Sequence, residues 1–220
     1  MPLIKKSIDW LFLSSLSIAL AGLFSVIIVF ARVPVIKEIL PFADLFRTAL
    51  VIHVDLSQIF WFMSSSIALS LYCFKVDGFI DNFLRKFTII ALALITTSAF
   101  LDGIPVLSNY IPFIDNNIIF SLSIALFFTI VFIYNLYLLT FAKPYKSDIG
   151  VLLQTSNQIT IITAFFVLLL TIILLKPHFP VSEYYEYLFW GFGHILQFSY
   201  CYLLMHAWLK LCDYQTRFPK

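Results

Sequence analysis

The chain has 220 residues, of which 61% are hydrophobic, 18% aromatic and only 12% charged, and its formal net charge is +2. A soluble domain carries about 25% charged and 45–50% apolar residues, and a chain of this length leaves much of its surface in water, so a soluble globular domain and a disordered chain are both excluded. A weak net charge without a basic cluster also lacks the footprint of a nucleic-acid-binding protein; the solvent that suits this composition is a lipid bilayer.

A membrane-spanning helix needs roughly 20 mostly apolar residues. Six such runs occur, at 10–30, 48–74, 87–106, 118–142, 151–175 and 187–212. They predict an all-α, polytopic membrane protein of six transmembrane helices, forming one transmembrane domain over 1–220. The first run follows Lys5 and Lys6, as in a signal peptide. It is longer than a 7–15-residue signal core and no clean cleavage site follows, so it reads as a retained helix. The third run is interrupted by Asp102 and Gly103. Connections are short and punctuated by residues such as Pro34, Pro41, Gly78, Pro105, Pro112, Pro144, Pro177 and Pro180.

Six spans place both termini on one side. That side receives Lys5, Lys6, Lys75, Arg85, Lys86, Lys143, Lys146, Lys210, Arg217 and Lys220, leaving Arg32, Lys37, Arg47 and Lys176 opposite. The positive-inside rule then puts both termini in the cytoplasm of a multi-pass protein of the inner (plasma) membrane. The tyrosine-rich stretch 182–187 falls outside, where it suits an interfacial aromatic belt. Cys73, Cys201 and Cys212 show no disulfide or zinc spacing and read as small apolar filler.

Four histidines remain. His178 sits in an outer loop and His206 near the cytoplasmic end of the sixth run, as solvated and interfacial residues. His53 and His194 each lie a few residues inside the outer end of a span. At 1.5 Å per residue both are roughly 7–10 Å below the outer hydrocarbon edge, on helices running the same way. An imidazole at that depth is costly unless paired or ligated, so it marks a functional position; the alternative is an interhelical hydrogen bond. Around His194 the string is FWGFGHILQF. Gly191 shares its helical face with Trp190, Gln197 and Phe198, and the missing side chain admits either a flat ligand or a neighbouring helix. Around His53, Ser57 and Phe60 share its face on a regular helix, while Asp55 points elsewhere. Asp55 reads either as a proton-relay group or as a carboxylate paired with Arg47. Asn157, Gln158, Thr160 and Thr163 form a polar patch on the fifth run.

At these two segments the sequence resembles subunit I of the haem-copper oxidases, respiratory-chain proteins with a core of twelve helices. Trp190, Gly193 and His194 match the family's Trp-x-x-Gly-His pattern on its sixth helix, and His53 matches the second-helix histidine by helix number, direction and depth. The resemblance covers helices I–VI only. It implies that His53 is an axial ligand of a low-spin haem and that His194 binds copper, in an oxygen or nitric oxide reductase. Phe198 stands where many oxidases carry a tyrosine, and Ile195 where a proline often follows the histidine. The adjacent His-His pair and the His-x-His of the family's later helices are absent from the 220 residues. The resemblance therefore implies an N-terminal half whose haem and copper need ligands from a complementary membrane subunit carrying the remaining helices. Three other readings stand beside it. They are a non-catalytic membrane subunit or assembly partner, a small b-type cytochrome in which His53 and His194 clamp one haem, and a transporter.

Overall fold

The computed structural model describes residues 2–35, 44–145, 148–176 and 178–212. Lys37, Pro41, Lys146, Pro177, Arg217 and Lys220 lie outside the described residues. The fold is all-α, with six long helices: α1 (Pro2–Phe30), α2 (Leu45–Cys73), α3 (Gly78–Ser98), α4 (Ile118–Thr140), α5 (Ile149–Leu174) and α6 (Val181–Leu211). Two short strand pairs tie their ends. β1 (Phe74–Lys75) pairs antiparallel with β4 (Lys143–Pro144), and β2 (Ile104–Val106) with β3 (Phe113–Asp115). The first pair marks the basic end of the bundle and the second the hairpin end.

Among the described residues four helices are long and apolar enough to cross a membrane: Lys5–Phe30, Leu45–Cys73, Ile118–Thr140 and Ile149–Leu174. Their outward faces are apolar, with Phe12, Leu23, Leu122, Phe166 and Ile173 all exposed. Polar residues would occupy those faces in water, so they point to lipid contact. The α3 and α6 boundaries differ from the predicted third and sixth runs. Asp77 caps α3 by accepting from the Phe79 and Ile80 amides, so the helix begins nine residues early. It ends at Ser98, and 104–106 is strand rather than helix, because Gly103 and Pro105 break the run. In α6 the tyrosine-rich stretch is itself helical, starting just after Pro180.

The core has two parts. At the hairpin end Ile52, Leu56, Phe60, Ile95, Phe120, Phe127 and Phe192 pack together; at the basic end Trp10, Ile67, Leu71, Leu84, Tyr134 and Leu138 do so. Asp81 lies buried at the second. Its Oδ1 accepts from Trp10 Nε1 at 2.9 Å and Tyr134 Oη at 2.7 Å, joining α1, α3 and α4. A polar seam runs between α2, α5 and α6. Asn157 Nδ2 donates to Ser66 Oγ at 2.7 Å, and Ser199 Oγ donates to Asn157 Oδ1. The polar patch read on the fifth run is thus partly an interhelical joint. Asn157 and Gln158 are both fully buried, and the Gln158 amide has no partner among the described residues.

Candidate functional site at the hairpin end

Helix α2 is interrupted by a π-helical stretch over Asp55–Phe60. Each such turn carries an extra residue, which rotates everything beyond it, and it is a feature common at functional sites. Before it, His53 faces α1, where Nδ1 lies 2.9 Å from the Ala21 carbonyl and 3.0 Å from Ser25 Oγ. At its last residue, Phe60 stacks on Phe127 of α4 at 4.0 Å. A regular helix would have kept His53 and Phe60 on one face; the π turn separates them.

Asp55, at the start of that stretch, is fully buried, and neither carboxyl oxygen has a hydrogen-bond partner among the described residues. Arg47 instead pairs with Asp44 at 3.8 Å, so the carboxylate–arginine pair read for Asp55 does not form.

His194 is positioned by α6 and by the β2–β3 hairpin. The connection between the two strands carries Tyr110, whose hydroxyl lies 2.8 Å from His194 Nε2. The hairpin is fastened to α6 by three further hydrogen bonds and a ring stack. The Asn109 backbone and side-chain amides donate to the two Glu186 carboxyl oxygens at 2.9 and 2.8 Å. Tyr185 Oη donates to Asp115 Oδ1 at 2.9 Å, and its ring stacks on Phe113. Burial first, and then that bond to Asp115, push the Tyr185 phenol well above its ordinary pKa. Glycine is required at 193. A side-chain carbon there would lie 2.3 Å from the Tyr110 ring. Gly191 accommodates α5, since a side-chain carbon there would lie 2.8 Å from Val167. Both glycines of the motif are therefore used for packing within the chain.

A carbonyl oxygen only accepts, so its partner nitrogen must carry the proton. His194 Nδ1 lies 2.9 Å from the Trp190 carbonyl, and His53 Nδ1 has the Ala21 carbonyl. Both imidazoles are therefore Nδ1–H tautomers whose Nε2 presents a lone pair, the orientation in which a histidine ligates a metal or haem iron. At His53 no described hydrogen bond engages Nε2. At His194 the Tyr110 hydroxyl donates to it. The two rings engage different elements, α1 for His53 and the hairpin for His194. On α6 the side chains of Trp190, Gln197 and Phe198 are exposed, leaving that face without cover from this chain. Each imidazole offers one ligand. Among the described residues no group of three or more His, Cys, Asp or Glu side chains stands together to hold a metal ion. Each histidine thus supplies one donor nitrogen, and the one at His194 is engaged by Tyr110.

His178 is exposed in its loop. His206 differs from its sequence reading, being fully buried between α2 and α5. Gln154 and Cys73 stand beside His206 and Tyr110 beside His194, and none of the three was singled out as a site residue. Only Cys73 carried a signal in the sequence, as one of three cysteines.

The fold and this site define an all-α membrane protein with imidazoles placed near one end of its helices. No protein-family profile matches the chain, and no solved structure matches it. Among curated proteins it is similar to an uncharacterized protein of Rickettsia prowazekii, 30% identical over 92% of this chain and 46% of that protein. It is also similar to an uncharacterized protein of Aquifex aeolicus, 32% identical over 92% of this chain and 52% of that protein. The chain spans about half the length of the curated relatives it matches.

Proposed function

We propose that the chain is a six-span half of a haem-copper-oxidase-like membrane subunit, with His53 as haem ligand and His194 as copper ligand in a site completed by further helices. The observation that carries this reading is the matched tautomer of the two imidazoles. Each spends Nδ1–H on a backbone carbonyl and directs a lone pair from Nε2. The uncovered Trp190–Phe198 face of α6 and the roughly doubled length of the two relatives favour an arrangement with further helices beside these six. Haem held there would supply one-electron transfer, and copper a Lewis acid for a small diatomic substrate. The chain's own part would be to fix the imidazoles. Ala21 and Ser25 hold one ring and the Trp190 carbonyl holds the other, and the Tyr110 hydroxyl would have to leave Nε2 for copper to bind there.

A second reading has one observation in its favour. Tyr110 already satisfies His194 Nε2, as expected of a structural histidine in a non-catalytic membrane subunit. Co-expression of the chain with the other half of the Aquifex relative separates the two. The oxidase-like reading expects a low-spin haem spectrum lost in His53→Ala, and copper lost in His194→Ala with the haem spectrum kept. Absence of haem and copper in that assembly leaves the non-catalytic subunit.

A further inference from the structure

Helices α2 and α4 are both long and apolar enough to cross a membrane, and both finish at the basic end, at Cys73 and Thr140. The β1–β4 ladder that ties these two ends therefore stands at the level of the lipid headgroups. Its register sets Lys75 directly opposite Lys143. Directly opposed residues of an antiparallel pair project from the same face, with Cβ atoms about 4.5–5.5 Å apart, and like charges so placed repel. Both lysines are exposed.

No carboxylate offsets this pair. Among the described residues ion pairs join Arg47 to Asp44 and Arg85 to Asp9, and neither Lys75 nor Lys143 enters one. Asp77 and Asp148, the acids that follow the two strands, are engaged in capping α3 and α5. Lys75 Nζ lies instead over the Tyr145 ring at 5.5 Å. A third ammonium is held beside β1, where Lys6 Nζ donates to the Val76 carbonyl at 2.7 Å. The neighbouring surface is apolar: Phe141, just past α4, and Phe79, in the first turn of α3, are 73% and 78% exposed. A small soluble anion would gain nothing from these rings, whereas a lipid brings acyl chains to them.

We propose that the β1–β4 ladder is a headgroup site for an anionic phospholipid, whose phosphate lies between the Lys75 and Lys143 ammonium groups while its acyl chains run past Phe141. Bound there, the phosphate turns a repulsive cross-strand pair into two attractive contacts and fastens the end of α2 to the end of α4. A zwitterionic lipid carries its own ammonium beside the phosphate and neutralises the pair less. The site lies at the opposite end from His53 and His194 and does not rest on the oxidase-like reading.

The test uses the full chain in a neutral detergent, titrated with phosphatidylglycerol, phosphatidylcholine or inorganic phosphate. Melting temperature is followed by circular dichroism, and bound lipid is counted by native mass spectrometry. Phosphatidylglycerol should bind more tightly than phosphatidylcholine and raise the melting temperature further; inorganic phosphate should leave it unchanged. A basic side chain facing an anionic lipid contributes about fivefold in affinity. Lys143→Gln should therefore weaken phosphatidylglycerol binding about fivefold, and Lys143→Glu, which reverses the charge, roughly 30-fold. Without lipid the order inverts, because Lys143→Glu sets opposite charges across the ladder and should melt above the parent chain. Lys86→Glu makes the same change of net charge on an exposed residue about two turns along α3 and should keep the parent's affinity. Equal binding of the two lipids, a phosphate shift as large as the lipid shift, phosphatidylglycerol affinity unchanged in Lys143→Glu or reduced as far in Lys86→Glu, or a lipid-free Lys143→Glu chain that melts below the parent overturns the proposal.

Discussion

Asp55 and His194 are both polar residues of long helices near the hairpin end, but their surroundings treat them oppositely. The Asp55 carboxyl is buried without a hydrogen bond among the described residues, whereas both His194 nitrogens are engaged. An unpaired buried polar group costs about 1–3 kcal/mol, and its replacement by an apolar group of similar shape is near neutral or stabilising. Asp55→Leu should therefore leave the melting temperature unchanged or raise it, as followed by circular dichroism in detergent. A clear fall would mean that the carboxyl has a partner. At His194 the expectation runs the other way. Tyr110→Phe removes the hydroxyl from Nε2, at a cost of about 0.5–1.5 kcal/mol for a lost hydrogen bond. Carbethoxylation of His194, followed by mass spectrometry, should then proceed faster than in the parent chain. Gly193→Ala should act more severely, because the added carbon meets the Tyr110 ring; such overpacking costs about 1–3 kcal/mol.

Among the elements, α3 shows how far the sequence could be read. Its apolar run is plain, but its first nine residues include Asp81, Arg85 and Lys86, which a hydropathy reading assigns to water. The helix nevertheless starts at the Asp77 cap, and Asp81 is drawn inside by Trp10 and Tyr134, partners 71 and 53 residues away. A similar limit applies to α1 and α6, which begin at Pro2 and Val181, ahead of the apolar runs that start at 10 and 187. Helices α4 and α5, capped by Asn117 and Asp148 beside their apolar runs, fall within two residues of expectation at both ends. The hairpin that carries Tyr110 onto His194 was not legible. It depends on strand pairing and on Gly103 meeting Ile114, neither of which has a periodic signature. The π turn was equally hidden, and with it the true face of Phe60. For Asp81, the Ala substitution should strand the Trp10 and Tyr134 donors in the core. A loss of about 1–3 kcal/mol per stranded group follows, measurable as reduced thermal stability, while Asp81→Asn keeps an acceptor and loses less.

For the whole molecule, the basic and hairpin ends give the six-span reading a direct test. Single cysteines in an otherwise cysteine-free chain should react with an impermeant maleimide from outside at Asp102 or Asn109. At Lys75 or Lys143 they should react only after the cells are opened. Labelling of Lys75, Asp102 and Asn109 from the same side would require α3 to lie along the membrane instead of crossing it.

The seam between α2, α5 and α6 also bears on how the chain enters the bilayer. When α5 emerges, its Gln154 and Asn157 find Ser70 and Ser66 already in place on α2. The last helix is the less apolar partner, and it brings Ser199 and His206 to those same two amides. On the six-span reading its retention in lipid depends on its predecessor more than on its own hydropathy. The order of synthesis matters to such a helix: a ribosome that released α6 before α5 had settled would deliver it to the aqueous side.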